Sequence, residues 1–149
     1  MLVLTAPIKT TMPVSILKKA MKLITSPILS NIPSRLLPTI YRHAQLLLYP
    51  SFYEGFGLPV AEALLSSTPV ITSNNSSLTE AGGPSSIYID PHSIEEMSHA
   101  IRTVLSDSEK AKNMAVQGKK YALEKFDPGR LSNELMDLYT QVSVGIHSN

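Results

Sequence analysis

The sequence predicts an α/β fold in which helices flank a doubly wound parallel sheet. Short, continuously apolar runs alternate along the chain with longer segments of helical periodicity, and no tight turn joins two apolar runs into a hairpin. Strands that are buried on both faces give such continuous runs, whereas half-exposed strands alternate. With 149 residues, of which 43% are hydrophobic, the chain is long enough for one domain with its own core, which we expect to span residues 1–149.

The candidate strands are apolar runs that end at proline, glycine or polar residues. The run that ends at Tyr49 is the strongest of them in the first half of the chain, because consecutive leucines precede the tyrosine. The predicted strands are 2–4, 28–29, 45–49, 69–72 and 87–89.

The candidate helices show apolar residues three or four positions apart. Ser34 is the expected N-cap of a short helix, and Ser93 forms a capping-box signature with Glu96. Pro59 suits the first turn of a helix, where its missing N–H has no partner to lose. The predicted helices are 14–24, 35–44, 59–66, one that begins after Ser93, one that contains 114–122 and a C-terminal helix at 127–144, with a polar loop at 73–77.

The composition excludes several kinds of site. A formal net charge of +1 gives no field that would attract nucleic acid, and the lack of cysteine excludes thiolate metal ligands and disulfides. The four histidines show no ligand spacing, so no bound metal is expected. No apolar run approaches the about 18–20 residues that span a bilayer, so we expect a cytoplasmic protein. The basic amphipathic segment 14–24 is interpreted as a crossover helix, with peripheral membrane contact as the alternative.

The segment from Tyr49 to Glu62 carries the residues that the fold leads us to inspect. Doubly wound sheets bind ligands beyond the carboxyl ends of their strands, and this segment follows the strongest predicted strand. Gly55 and Gly57 permit positive φ angles and let a ligand approach the main chain closely. The helix that follows offers unpaired N–H groups to an anion. Together these features predict a phosphate site.

Two glutamates in this segment indicate what the rest of the ligand contains. Glu54 lies in the loop before the helix, and Glu62 lies about one turn inside the helix. An ionised carboxylate only accepts hydrogen bonds, so it suits the hydroxyls of a ligand rather than its phosphates. A ligand with phosphates in the middle and a hydroxyl-rich group at each end fits this order, and a nucleotide sugar has that shape.

This segment resembles the paired-glutamate motif of glycosyltransferase family 4. Glu54 and Glu62 enclose the seven residues Gly-Phe-Gly-Leu-Pro-Val-Ala, as in that motif. The resemblance continues through 68–74, 76–83 and 87–91, and it covers roughly residues 28–142. It implies a Rossmann-like domain that forms the C-terminal, donor-binding half of a GT-B architecture.

The resemblance also implies a role for each residue of the motif. Glu54, the candidate catalytic residue, accepts hydrogen bonds from the donor sugar, and Glu62 binds the ribose hydroxyls. The backbone amides of the segment between them face the diphosphate and the sugar. The family transfers sugars from nucleotide-diphospho-sugars, here a hexosyl group such as mannosyl or glucosyl, with retention of configuration and generally without metal. The amides concerned belong to Gly55, Phe56, Gly57 and Leu58.

For the residues around the motif, two interpretations stay open. Glu80 either contributes to the site or caps a short helix, and Asn74 and Asn75 are favoured as turn formers over ligands. Phe52 and Tyr53 either form a wall of the pocket or pack in the core.

The chain also departs from the family pattern. Relatives have a second, acceptor-binding domain, and their donor domain begins with a strand and helix that carry an Arg and a Lys for the diphosphate. Here the strand at 2–4 aligns with the family's following strand, so we expect a chain truncated at its N-terminus, with Lys9 as a weak substitute. Ser67 occupies a helix end where relatives commonly place glycine in a left-handed conformation.

These departures leave three hypotheses. The first is a glycosyltransferase whose acceptor domain comes from a longer chain or a partner subunit. The second is a module that binds a nucleotide sugar without turnover. The third is an inactive fragment or interaction protein that keeps the motif by descent.

Overall fold

A computed structural model describes residues 32–129, 132 and 136 of the chain. The strands predicted at 2–4 and 28–29, the helix and membrane contact predicted for 14–24, and Lys9 lie outside the described residues. Of the C-terminal helix predicted at 127–144, residues 128, 129, 132 and 136 are described as helical. The architecture below therefore concerns the central part of the chain.

The described part of the chain alternates between helices and strands, as predicted. It begins with a 3₁₀ turn at Ser34–Leu36. The strands are β1 Leu47–Tyr49, β2 Val70–Ser73 and β3 Ile87–Ile89. The helices are α1 Leu37–His43, α2 Leu58–Leu65, α3 Ser76–Gly82, α4 Ile94–Ser106 and α5 Ser108–Lys125.

The three described strands form a parallel sheet in the order β1-β2-β3, which confirms the predicted fold class. Tyr49 lies opposite Thr72, and Ser73 lies opposite Ile89, so all three strands end at the same edge of the sheet. The loops that follow β1 and β2 therefore meet at this carboxyl edge, where ligands of such sheets bind.

The core lies on both faces of the sheet, which explains why the strands read as continuous apolar runs. Successive residues of β1 point to opposite faces. One face packs against α4, and its buried residues are Leu46, Leu48, Ile71, Ile89, Met97, Ala100, Ile101, Val104 and Met114. The other face packs against α2 and α3, and its buried residues are Tyr41, Leu47, Tyr49, Val60, Ala63, Leu64, Val70, Leu78, Ala81 and Ala122.

Two predicted element boundaries are wrong. Ser34 does not cap a helix with its side chain; it begins the 3₁₀ turn, and α1 follows with Pro38 in its first turn. Ser73 belongs to β2 rather than to a polar loop, because it pairs with Ile89 and is fully buried. The predicted loop is therefore shorter, and α3 begins within it at Ser76.

Candidate functional site

The carboxyl edge of the sheet is closed by the first turn of α2. Gly57 is the N-cap residue of α2 and has a φ angle of 88°, and its carbonyl accepts from the Val60 N–H at 2.9 Å. The sequence permits a positive φ angle at both glycines of this loop. Gly57 adopts one, and Gly55 does not.

Close packing is a second reason for glycine at position 57. A Cβ there would lie 2.7 Å from Leu78 Cδ2 and 3.3 Å from Ala81 Cβ, both on α3. A Cβ at Gly55 would meet nothing within 4 Å. The start of α2 is therefore pressed against α3, whereas the loop at Gly55 is open.

Side chains from the β2–α3 connection and from the first turn of α3 hold the loop that follows β1. The Asn75 amide donates to the carbonyls of Ser51 at 3.0 Å and Phe52 at 2.7 Å. The Ser77 hydroxyl donates to the Glu54 carbonyl at 2.6 Å. These bonds fix a segment that has no regular secondary structure of its own, and Asn75 acts as a link between two loops.

Glu54 lies half-buried at this edge with one carboxylate oxygen already engaged. Its Oε1 accepts from the Tyr49 hydroxyl at 2.5 Å and from the Ser51 hydroxyl at 3.1 Å. Burial, and then the hydrogen bond to Glu54, raise the pKa of Tyr49, so this phenol stays a donor. Among the described side chains and amides of residues 32–129, none donates to Oε2, so that oxygen can accept a further hydrogen bond.

Glu62 projects from α2 and is exposed, with a similar partner. The hydroxyl of the buried Tyr41 donates to Glu62 Oε2 at 3.2 Å. Burial, and then the negative charge of Glu62, raise the pKa of Tyr41. The structure thus gives each glutamate of the motif a tyrosine donor from a different element.

The amides between the two glutamates form a group of available donors. Among the described residues, no backbone or side-chain acceptor receives the N–H groups of Gly55, Phe56, Gly57 or Leu58. They lie at the start of α2, where the helix dipole adds a partial positive charge. The arrangement is that of an anion site at a helix N-terminus.

A cavity of about 270 Å³ opens beside Glu62, between α1 and α2. Leu37, Pro38 and Leu65 supply apolar wall, and Tyr41, Arg42 and Glu62 supply polar groups. The cavity is large enough for a planar ring, and Glu62 is part of its lining.

Other candidate residues have structural roles. Phe52 packs against the core and contacts the His92 ring with centroids 4.5 Å apart, whereas Tyr53 is 82% exposed. Glu80 pairs with Lys125 at 3.0 Å, which ties α3 to α5. Ser67 has a φ of 62°, which confirms the left-handed helix end.

Sequence reasoning missed Tyr41, Ser51 and Ser77 as site residues, and it used Tyr49 only as the end of a strand. Tyr41 lies 21 residues before its partner Glu62, and Ser77 lies 23 residues after Glu54. No local pattern marks such contacts, although a tyrosine at the carboxyl end of a strand before a polar loop was a usable signal.

In residues 32–129, 132 and 136, no three His, Cys, Asp or Glu side chains gather closely enough to hold a metal ion. Nor is any helix in this part of the chain long and apolar enough to cross a membrane.

Known proteins resemble this chain in sequence. The family model for glycosyl transferases group 1 matches residues 18–121. O-antigen chain mannosyltransferase B of Escherichia coli is 41% identical over 81 residues, which are 54% of this chain and 21% of that protein. D-inositol 3-phosphate glycosyltransferase of Rhodococcus opacus (strain B4) is 30% identical over 114 residues, 75% of this chain and 25% of that protein. The chain spans between about a fifth and just over a quarter of the length of such relatives.

The fold also has a solved counterpart. Sucrose-phosphate synthase from Thermosynechococcus elongatus superimposes with a TM-score of 0.75 at 24% identity, over 89% of this chain and 34% of that one. This likeness supports the predicted Rossmann-like half of a GT-B architecture. Because the family model covers most of the chain, including both glutamates and the loop between them, this protein belongs to the glycosyl transferases group 1 family.

Proposed function

We propose that this chain is the donor-binding part of a retaining glycosyltransferase of family 4. It binds a nucleotide-diphospho-sugar and presents a hexosyl group, mannosyl or glucosyl, for transfer to an acceptor without a bound metal. The observation that supports the proposal is that Glu54 precedes and Glu62 follows, along the chain, the amides at the start of α2 that have no acceptor among the described residues.

Glu54 is the proposed sugar-binding and catalytic residue. Its Oε1 is held by Tyr49 and Ser51, so Oε2 faces a ligand with a fixed orientation. Hydroxyls of the donor hexose donate to this oxygen, which sets the position of the anomeric carbon. Orientation of the reacting atoms contributes to rate by removing rotational freedom before the chemical step.

The amides of Gly55 to Leu58 are the proposed diphosphate site. As the bond between sugar and phosphate breaks, negative charge grows on the departing nucleoside diphosphate. Fixed N–H donors and the start of α2 stabilise that charge where it develops. This contribution replaces a metal ion in the proposed mechanism.

Glu62 is the proposed ribose site, and the neighbouring cavity is the proposed nucleobase site. The ribose hydroxyls donate to the carboxylate, and the base lies against Leu37, Pro38 and Leu65. Apolar walls with few polar groups are typical of small-molecule sites.

Transfer also needs an acceptor site. Since the chain spans only 21% and 25% of the length of the two curated relatives reported above, we propose that another domain or a partner subunit supplies it. The same length observation favours one alternative, a module or inactive fragment that binds a nucleotide sugar without turnover.

Calorimetric titration with UDP, GDP and ADP sugars tests the proposal. We expect submillimolar binding of one of these donors, and a loss of at least about tenfold in Glu62→Ala because a charged hydrogen-bond acceptor is removed. Glu95→Ala, which removes an exposed glutamate in the first turn of α4, is the matched control and should bind normally. Absence of heat with every nucleotide sugar would overturn both the enzyme proposal and the binding-module alternative.

A further inference from the structure

Each glutamate of the site belongs to a set of three hydrogen-bonded residues. In each set a buried threonine bonds a tyrosine, and the tyrosine bonds the glutamate. The Thr72 hydroxyl donates to the Tyr49 carbonyl at 2.9 Å, and the Tyr49 hydroxyl donates to Glu54. In the second set, the Thr68 hydroxyl donates to the Tyr41 carbonyl at 2.6 Å, and the Tyr41 hydroxyl donates to Glu62.

The two threonines anchor these sets in the buried central strand of the described sheet or next to it. Thr72 lies within β2 and Thr68 lies just before it, and their exposed fractions are 0% and 1%. A buried hydroxyl that is hydrogen-bonded holds its partner, since breaking the bond would leave the hydroxyl unsatisfied. The backbone of each tyrosine is therefore fixed relative to the sheet.

We infer that Tyr49 and Tyr41 are positioning residues for opposite ends of the nucleotide sugar, Tyr49 for the hexose through Glu54 and Tyr41 for the ribose through Glu62. This inference rests on the proposed function. It adds a division of labour, by which we mean that two tyrosines outside the glutamate motif act on different ends of the ligand. Each tyrosine engages one carboxylate oxygen and leaves the other to the ligand.

Positioning is needed because a glutamate side chain has several rotatable bonds. An unheld carboxylate must lose rotamer freedom when it binds a hydroxyl, and this loss weakens affinity. A tyrosine phenol is protonated at neutral pH, and burial raises the pKa of both tyrosines further, so each remains a donor. The two tyrosines lie on different elements, β1 and α1, so each can be substituted singly.

Titration of Tyr49→Phe and Tyr41→Phe with two probes tests the inference: the UDP, GDP or ADP sugar that the wild type binds, and the matching nucleoside diphosphate without sugar. Loss of a hydrogen bond to a charged group predicts about tenfold weaker binding. Tyr49→Phe should weaken the nucleotide sugar by this factor and change the nucleoside diphosphate by less than twofold. Tyr41→Phe should weaken both probes equally.

A double-mutant cycle separates positioning from general loss of structure. If Tyr49 acts through Glu54, Tyr49→Phe should have no further effect on affinity in a Glu54→Ala background, where no acceptor for the phenol remains. Tyr121→Phe is the matched control, since it also removes one phenolic hydrogen bond, to the Glu80 carbonyl at 2.7 Å, and should leave both affinities unchanged.

The outcomes distinguish this inference from the proposed function. A wild type that binds, with Tyr49→Phe weakening both probes alike or neither, overturns the division of labour and leaves the donor site intact. A wild type that binds no nucleotide overturns the proposed function, and the positioning roles with it.

Discussion

The loops at the carboxyl edge of the sheet and the helical region after β3 are held in different ways. At the carboxyl edge, the polar side-chain bonds that fix Ser51, Phe52, Glu54 and Glu62 include several between residues 21 to 24 positions apart. In residues 90–110, which follow β3 and contain the starts of α4 and α5, the corresponding bonds join residues two to six positions apart, and those of Ser93 and Asp107 cap helices. A loop without regular structure needs long-range polar contacts to present ligand-binding groups, whereas a helix that packs by its apolar face needs only local caps.

The largest expected effect concerns the start of α2. Gly57→Ala places a Cβ 2.7 Å from Leu78 Cδ2, inside the core, and at a φ of 88°. Left-handed strain and overpacking together should lower the free energy of unfolding by roughly 2–4 kcal/mol. Urea denaturation measures this change.

Gly55→Ala is the control for this prediction, because its Cβ meets nothing within 4 Å. We expect it to change stability by less than about 0.5 kcal/mol. Equal effects of the two substitutions would show that the tight contact between α2 and α3 is not what requires glycine at position 57.

A smaller effect is expected at the link between the two loops. Asn75→Ala removes the donors to the Ser51 and Phe52 carbonyls, which should cost about 1–2 kcal/mol of stability. The loop that carries Glu54 would also lose its support, so affinity for the nucleotide sugar should fall. Urea denaturation and calorimetric titration measure the two effects.

Ser93→Ala is the counterpart of Asn75→Ala in the helical region, because it also removes a polar side chain that bonds the backbone. We expect it to have a smaller effect than Asn75→Ala. It removes a cap on the Glu96 N–H at 3.1 Å and should cost about 1 kcal/mol without changing ligand affinity. If both substitutions lowered affinity, or neither did, the contrast between the two regions would be wrong.

The same contrast explains how much the sequence could predict. The strand at 87–89 and the cap at Ser93 were predictable because their signals lie within a few residues, whereas the left-handed Ser67 was predictable from the family resemblance. Even there, only half of the capping box forms, since the Glu96 carboxylate accepts from the Asp90 N–H at 2.8 Å instead of closing back on Ser93.

The motif predicted which residues to inspect at the site, but not what holds them. The partners of Glu54 and Glu62 depend on how α1, β1 and β2 pack together, which no local spacing reveals. At Ser34 a local signal was misleading. Its residue type suits an N-cap, but the chain forms a 3₁₀ turn there before α1 begins.

The most direct test of the account is a crystal structure of this chain with the nucleotide sugar that it binds. We expect the diphosphate against the amides of Gly55 to Leu58, the ribose hydroxyls on Glu62 and the hexose hydroxyls on Glu54 Oε2. An ordered ligand whose diphosphate lies away from the start of α2, or whose ribose and hexose contact neither glutamate, would contradict it.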